Sequence, residues 1–456
     1  MVLRLTLFAG LMALSACTAV PRMDVPERRD AALPATLPPM AQFALRSAPA
    51  PERSNAAIAR DILDLSFQME SGREITRLSR FEGPITVAVV PGAPASLGAD
   101  LDRLLARLRR EARIDISRVS RDSGPASIVI ETLPRSRMQR VVPQAACFVV
   151  PRVSSWNDFR RMRNGRDLDW TTLETRQQIA VFIPSDVPPQ EIRDCLHEEV
   201  SQAIGPLNDL YRLSDSVFND DNFNAVLTGF DMLVLRAYND PALRSGMTRA
   251  EAEAALPGIL ARLNPRGNGG GLGPSGASPR AWIDAIETAL GRGSTNDPRR
   301  IAAARQAVAI ARSQGWQDNR LAFSYFALGR LSLTRDPDLS LASFLAAGQI
   351  YRQIAPGGIH MAHVNMQLAA FALSSGQAER ALELTGAALP AATQAENASL
   401  LATLLMIRAE ALDLTGRPSE ARAVRLDSLG WGRYGFGRTD AVEARLNEIA
   451  GLVPRT

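Results

Sequence analysis

The fold class predicted by this 456-residue sequence is an α/β domain followed by an all-α array of helical hairpins. Three observations predict it. Up to about residue 265, short apolar runs closed by Pro or Gly alternate with stretches of helical periodicity. Residues 266–280, "RGNGGGLGPSGASPR", then carry no apolar pattern and read as a flexible linker. Beyond them the apolar spacing is helical throughout, and a short motif recurs. Hydrophobic residues at 46% and charged residues at 22% describe a globular chain with enough apolar mass for two or three domains.

The elements follow in order. "AAIARDILDLSFQME" carries Ile58, Ile62, Leu63, Leu65 and Phe67 at helical spacing. "PITVAVVPG" is a continuous apolar strand closed by Pro-Gly. "GADLDRLLARLRREAR" is an amphipathic helix with Leu101, Leu104, Leu105 and Leu108 on one stripe. "ASIVIETL", "ACFVVPRV" and "QQIAVFIPS" are three further strands. A helix then starts near Pro188-Pro189, where proline suits a first turn, and stops near Gly205-Pro206. A loop rich in Asn and Asp leads to another helix in "FNAVLTGFDMLVLRAYND". In the C-terminal part Ala302, Ala342, Ala381 and Ala421 recur at spacings of 40, 39 and 40 residues, each expected at the start of a hairpin's second helix. Small side chains there let paired helices approach, and a stack of hairpins leaves one concave face free; an irregular bundle is the alternative.

The N-terminus holds the most specific short signal. "MVLRLTLFAGLMALSAC" has Arg4, a short apolar run, and Leu14-Ser15-Ala16-Cys17. This ending resembles the lipobox of bacterial lipoproteins, which implies cleavage before Cys17, acylation of that residue and a membrane anchor. An ordinary secretory leader is the alternative. Thr18 at the next position points to the outer membrane of a Gram-negative bacterium, with the protein facing the periplasm. The chain then divides into a leader (1–16), a Pro/Ala-rich tether (17–55), the α/β domain (56–265), the linker (266–280) and the helical array (281–456). Cys147 and Cys195 remain as an even pair in an oxidising compartment, so a disulfide is preferred to two buried thiols. All 52 basic residues are arginines and the net charge is only +4, too little for nucleic-acid binding. The Arg135–Arg166 stretch is diluted by Val, Pro and Ser and reads as solvated surface.

"CLHEEVSQAIGPLND", residues 195–209, has the rhythm of a zinc-peptidase helix with its ligands changed. Such a helix needs His-Glu-x-x-His: two imidazoles one turn apart for zinc, and a Glu that polarises the bound water. Anchoring on Gly205 puts Glu198 and Gln202 at the two ligand positions, Glu199 at the general base, and Asn208 or Asp209 at the third ligand. The other register starts at His197 and puts Ser201 where the second histidine belongs. At about 100° per residue, Ile192, Leu196, Glu199 and Ala203 share one stripe, so Glu199 projects toward the core. A carboxylate there marks either a site or a satisfied structural network. Gln and Asn are poor zinc ligands, so no cofactor is expected. Zinc or calcium at Glu198, Gln202, Asn208 and Asp209 are the metal alternatives, and Asp215, Asn219, Asp220 and Asp221 could contribute, although not at EF-hand spacing. His360 and His363 lack a ligand partner at metal spacing and read as solvated or hydrogen-bonded.

The strand, helix, three strands, helix order resembles the opening of the zincin metallopeptidase fold. "CLHEEVSQAIGPLND", "DSVFNDDN" and "FDMLVLRAYNDPALRSGM" together resemble an uncharacterised bacterial family, domain of unknown function twenty-nine twenty-seven, over about residues 56–265. That resemblance implies a zincin-like fold, with Glu-Glu-x-x-Gln in place of the zinc motif, and no assigned activity. "GQAERALELTGAAL" resembles the tetratricopeptide (TPR) consensus, so the array is expected to be TPR-like. The expected function is an envelope-anchored binding scaffold with a degenerate peptidase-like domain. It would hold an envelope protein or peptide on its helical repeats. The alternatives are a metal-dependent peptidase or cell-wall peptide hydrolase using Glu199 as base, and a cleft that binds peptide without cutting it.

Overall fold

The computed structural model describes residues 34, 36–269, 273–291, 294 and 297–454. The leader and Cys17 lie outside the described residues. The first half opens with α1 (Asn55–Ser66), capped by the Ser54 side chain, followed by β1 (Ile85–Val89) and α2 (Ala95–Arg107). A π-helical turn at Leu108–Ala112 leads to β2 (Ile116–Arg118). Then come β3 (Ile128–Leu133), the short α3 (Arg135–Gln139), β4 (Phe148–Pro151), α4 (Trp156–Met162), β5 (Ile179–Pro184) and α5 (Pro189–Ile204). Two helices with capping boxes close this half: α6 (Gly229–Tyr238), capped by Thr228 and Asp231, and α7 (Arg249–Leu263), capped by Thr248 and Glu251.

The five strands form one sheet in the order β2-β1-β3-β5-β4, parallel except for β4 at the edge. Period-two alternation sorts its faces. Ile128 and Ile130 of β3 and Ile179, Val181 and Ile183 of β5 face a core shared with α1, α2, α5, α6 and α7. Ala180 and Phe182 face the opposite way, onto Trp156 and Phe159 of α4. On α5 the stripe of Ile192, Leu196, Glu199 and Ala203 is buried, as its spacing predicts. Position 205, where the helix stops, is glycine for a steric reason. A Cβ there would lie 2.4 Å from Leu235 Cδ2 of α6 and 2.8 Å from the Ser201 carbonyl. Gly205→Ala is therefore expected to lower stability by about 1–3 kcal/mol, measurable by urea denaturation.

The second half is helical throughout: α8 (Arg280–Leu290), α9 (Pro298–Ser313), α10 (Asn319–Ser332), α11 (Pro337–Ile354), α12 (Ile359–Ser374), α13 (Ala378–Gln394), α14 (Ala398–Leu414), α15 (Pro418–Gly435) and α16 (Thr439–Ala450). Ala307, Ala347, Ala388 and Ser428 have no exposed surface, and their spacings are 40, 41 and 40 residues. They mark the true register of the hairpins. By that register Arg300 and Ser340 correspond to Ala381 and Ala421, two residues from the Ala302 and Ala342 that the sequence suggests. Ala302 and Ala342 are exposed, whereas Ala381 and Ala421 are fully buried. No helix among the described residues is long and apolar enough to cross a membrane.

The two halves pack on each other through the N-terminal ends of α10, α12 and α14. Asp221, in the loop after α5, accepts hydrogen bonds from Asn319 Nδ2 at 2.8 Å and pairs with His360 Nε2 at 3.0 Å. Gln190 Oε1 accepts from the Ser399 amide at 2.9 Å, and Arg193 donates to the Glu396 carbonyl at 2.8 Å. Of these contacts, Gln190 takes up an N–H left free in the first turn of α14, and the Asp221 carboxylate suits the positive dipole ends of α10 and α12. Tyr211 and Phe223 of the same loop are buried in the array's own core, Phe223 against Phe323, Phe326 and His360. At the far end, residues upstream of α1 run along the array. Phe43 lies 4.4 Å from the Trp431 ring, and the Ala41 amide bonds the Gly430 carbonyl. Arg53 stacks over Phe230 and pairs with Asp61 and Asp215.

Candidate functional site: a carboxyl cleft on α5

Helix α5 is held against the sheet by its apolar stripe and by a disulfide between Cys147 and Cys195, with Cα atoms 6.0 Å apart. The bridge ties the residue before β4 to the middle of the helix. Just beyond it, the carboxylate oxygens of Glu198 and Glu199 lie within 4.8 Å of each other and of Cys147 Sγ. That sulfur is committed to the disulfide and offers no thiolate. Glu199 is buried at 3% exposure, and its Oε2 has no hydrogen-bond partner. Gln202, one turn on from Glu198, reaches Asp209 Oδ2 at 3.5 Å. Asp209 also feels the charge of Glu70, an exposed residue in the turn after α1. Asp220, in the loop after α5, adds its charge to the surroundings of Glu198 and Asp209.

The structure thus sets Glu198 beside Glu199 and Gln202 against Asp209, and leaves other predicted residues aside. The Asn208 amide is spent on the Asp64 carbonyl at 2.9 Å, and its backbone N–H on Leu65. Asp215 is paired with Arg53, and Asn219 donates to the Leu213 carbonyl. Glu70 is the member that sequence reasoning missed. It lies 128 positions before Glu198 in a turn without periodicity, so no local pattern could join the two.

The chain has three histidines, and none stands in the cleft. His197 is buried and accepts the Leu227 amide at Nδ1, 3.1 Å away. Burial and the nearby Arg107, Arg193 and Arg103 push its pKa well down and keep it neutral. His360 is paired with Asp221, and His363 packs on Phe223 with its pKa lowered to about 3 by burial, His360 and Arg330. A zinc site of the His-Glu-x-x-His kind therefore does not fit these donors. The set is carboxyl oxygen, with one amide.

Crowding governs the protonation of the cleft. Burial raises the pKa of Glu199 and Asp209 well above the ordinary carboxylate range. Neighbouring Glu198 and Glu70 add to the effect on Glu199, and Asp220, Glu70 and Glu198 to that on Asp209. Burial, then Asp220, Glu70 and Asp194, push Glu198 up to about 8. Burial and then Glu70 lead the rise of Asp220 to about 7, with the Tyr211 hydrogen bond opposing it. In the unfolded chain these groups titrate near 4. Because the folded values are raised, folding is favoured while the groups stay protonated. That contribution is complete below about pH 4 and is lost as pH climbs through 7 to 8. Chelator-treated protein is expected to melt at lower temperature at pH 9 than at pH 6. Glu198→Gln should flatten this dependence in a thermal-denaturation series.

Residues 55–258 match the model of a family described as "Protein of unknown function (DUF2927)". No curated protein and no solved structure matches the chain. The match takes in the whole sheet, α5 and the carboxyl cleft, and stops inside α7, short of the helical array.

Proposed function

We propose that this chain is a cell-envelope lipoprotein, anchored through Cys17, that binds an envelope protein or peptide and does not cleave it. The observation that carries this reading is the donor set on α5. The positions that would hold zinc in a zincin are Glu198 and Gln202, and none of the three histidines stands beside them: His197 and His360 are hydrogen-bonded elsewhere and His363 is packed on Phe223. A mostly parallel sheet with one antiparallel edge strand, and a buried helix carrying the altered motif beside it, supports a zincin-like origin for the first half. The disulfide supports an oxidising compartment. The lipobox-like Leu14-Ser15-Ala16-Cys17 supports the anchor.

For the binding surface, the part of the array not covered by the first half has a cavity of about 330 Å³ between α9, α10 and α11. Leu321 and Ile350 form part of its lining beside Tyr325, Gln317, Gln349 and Gln353. Apolar contacts flanked by side-chain amides suit an extended peptide, whose backbone needs both donors and acceptors. The test is photo-crosslinking in intact cells from a photoreactive residue at Gln349, because a chain without lysine gives amine-directed crosslinkers nothing internal to capture. A discrete crosslinked envelope partner is expected, together with release of the Cys17→Ser protein from the membrane fraction. Peptide cleavage by the purified protein that disappears in Glu199→Gln would overturn the reading.

A further inference from the structure

Folding gathers the arginines between Arg135 and Arg166 onto one layer of the molecule. These residues hold eight arginines against one acid, Asp158, a local charge of +7 in a chain whose net charge is +4. Met138 of α3, Val141 and Val142 after it, and Trp156, Phe159 and Met162 of α4 share one small core with Ala180 and Phe182 on the sheet's outer face. Both helices are thereby fixed in one layer, with their charged side chains on its solvent side. Arg137, Arg140, Arg160, Arg163 and Arg166 are exposed, and among the described residues none of the five makes a salt bridge or a side-chain hydrogen bond. Asp158 is already taken by Arg161 and Ser155, and Arg135 is paired with Glu191. Exposed arginines on the array behave differently: Arg280, Arg299, Arg380, Arg417 and Arg438 each pair with an acid nearby in the chain. A face of unpaired arginines is complementary to a surface of fixed negative charge.

The first described stretch of the chain reaches the same end of the molecule. The Pro38 carbonyl accepts Arg433 Nη1 at 2.6 Å, and the guanidinium of Arg193 on α5 lies 5.7 Å from the Phe43 ring. Glu191, in the first turn of that helix, pairs with Arg135 at the start of α3, and Asp186 just before it accepts the Arg135 amide at 2.7 Å. We propose that the arginine face of α3 and α4 docks on a membrane surface carrying anionic phospholipid. Guanidinium forks match phosphate oxygens, and each basic group held near such a surface adds to the attraction, which fades within a Debye length. The contact orients a body that the Cys17 anchor already holds, with α3 and α4 against the headgroups. It rests on the anchored reading above for its choice of a membrane over an acidic protein.

Vesicle cosedimentation tests this on the mature chain, residues 17–456, with Cys17→Ser so that no acyl group contributes. Vesicles of phosphatidylcholine alone are compared with vesicles of phosphatidylcholine and phosphatidylglycerol at about 3:1. Binding at least about tenfold tighter to the anionic vesicles is expected at about 0.05 M salt, and its loss at about 0.5 M. Arg140→Gln, Arg160→Gln and Arg163→Gln together should weaken that binding at least about tenfold. Arg305→Gln, Arg380→Gln and Arg422→Gln, at exposed positions of α9, α13 and α15, remove the same charge and should leave it within about twofold. Circular dichroism checks that both triple variants are folded. No vesicle binding, equal binding to the two vesicle types, or equal weakening by the two triple variants would overturn the proposal. The anchor is read separately, by sedimentation of the acylated Cys17 protein with neutral vesicles, so the failure of one reading is not the failure of the other.

Discussion

Asp221→Ala is expected to cost about 3–5 kcal/mol of stability, because it leaves a buried histidine and a buried amide without their partner. One Asp221 oxygen serves Asn219, Asn319 and His360, and the other accepts the Phe223 amide. Both Asp221 and His360 are buried, so the pair is not screened by solvent. Its loss should also change how the protein melts. Calorimetry of the parent should show one cooperative transition, and Asp221→Ala should separate the array from the sheet-bearing half. Asp221→Asn keeps an acceptor for Asn319 and should fall between the two. A loss below about 1 kcal/mol, as for a surface pair, would show that the junction is not held here.

The second large effect belongs to the disulfide. Cys147 and Cys195 are 48 residues apart, and opening that loop in the unfolded chain should cost about 4 kcal/mol on the chain-entropy model. The double variant Cys147→Ser, Cys195→Ser removes the bridge without leaving a lone thiol. Urea denaturation should show this loss, and a reductant that destabilises the parent should leave the double variant unchanged. The bridge joins the approach to β4 to α5 immediately before Glu198. Its removal is therefore also expected to loosen α5 around Glu198, read as faster amide hydrogen exchange there.

How far the sequence showed this architecture depended on range. Helix α5 was legible to within a residue or two, because Pro188-Pro189 and Gly205 punctuate it and Ile192, Leu196, Glu199 and Ala203 repeat at helical spacing. β1, β3 and β5 were legible as continuous apolar runs, the pattern expected of strands buried on both faces. β2 was not, because the three residues Ile116–Arg118 are too short to show a period. The hairpin register slipped by two residues in the first copies because alanine is abundant on both faces of α9. The junction was invisible for a different reason. His360 lacks a partner in its own neighbourhood, and Asp221, which supplies one, is 139 residues away. The pair exists only because the loop carrying Phe223 packs into the array. Glu70 comes to act on Glu198, Glu199 and Asp209 in the same way, through a tertiary placement that no local pattern records.

The side chains that Glu198, Glu199 and Gln202 of α5 offer are carboxyl and amide oxygens, which do not select zinc. Elemental analysis of the full-length protein, purified without chelator and then dialysed against equimolar zinc, tests this most directly. The account predicts far less than one zinc per chain. One tightly held zinc per chain that disappears in Glu198→Ala would contradict it.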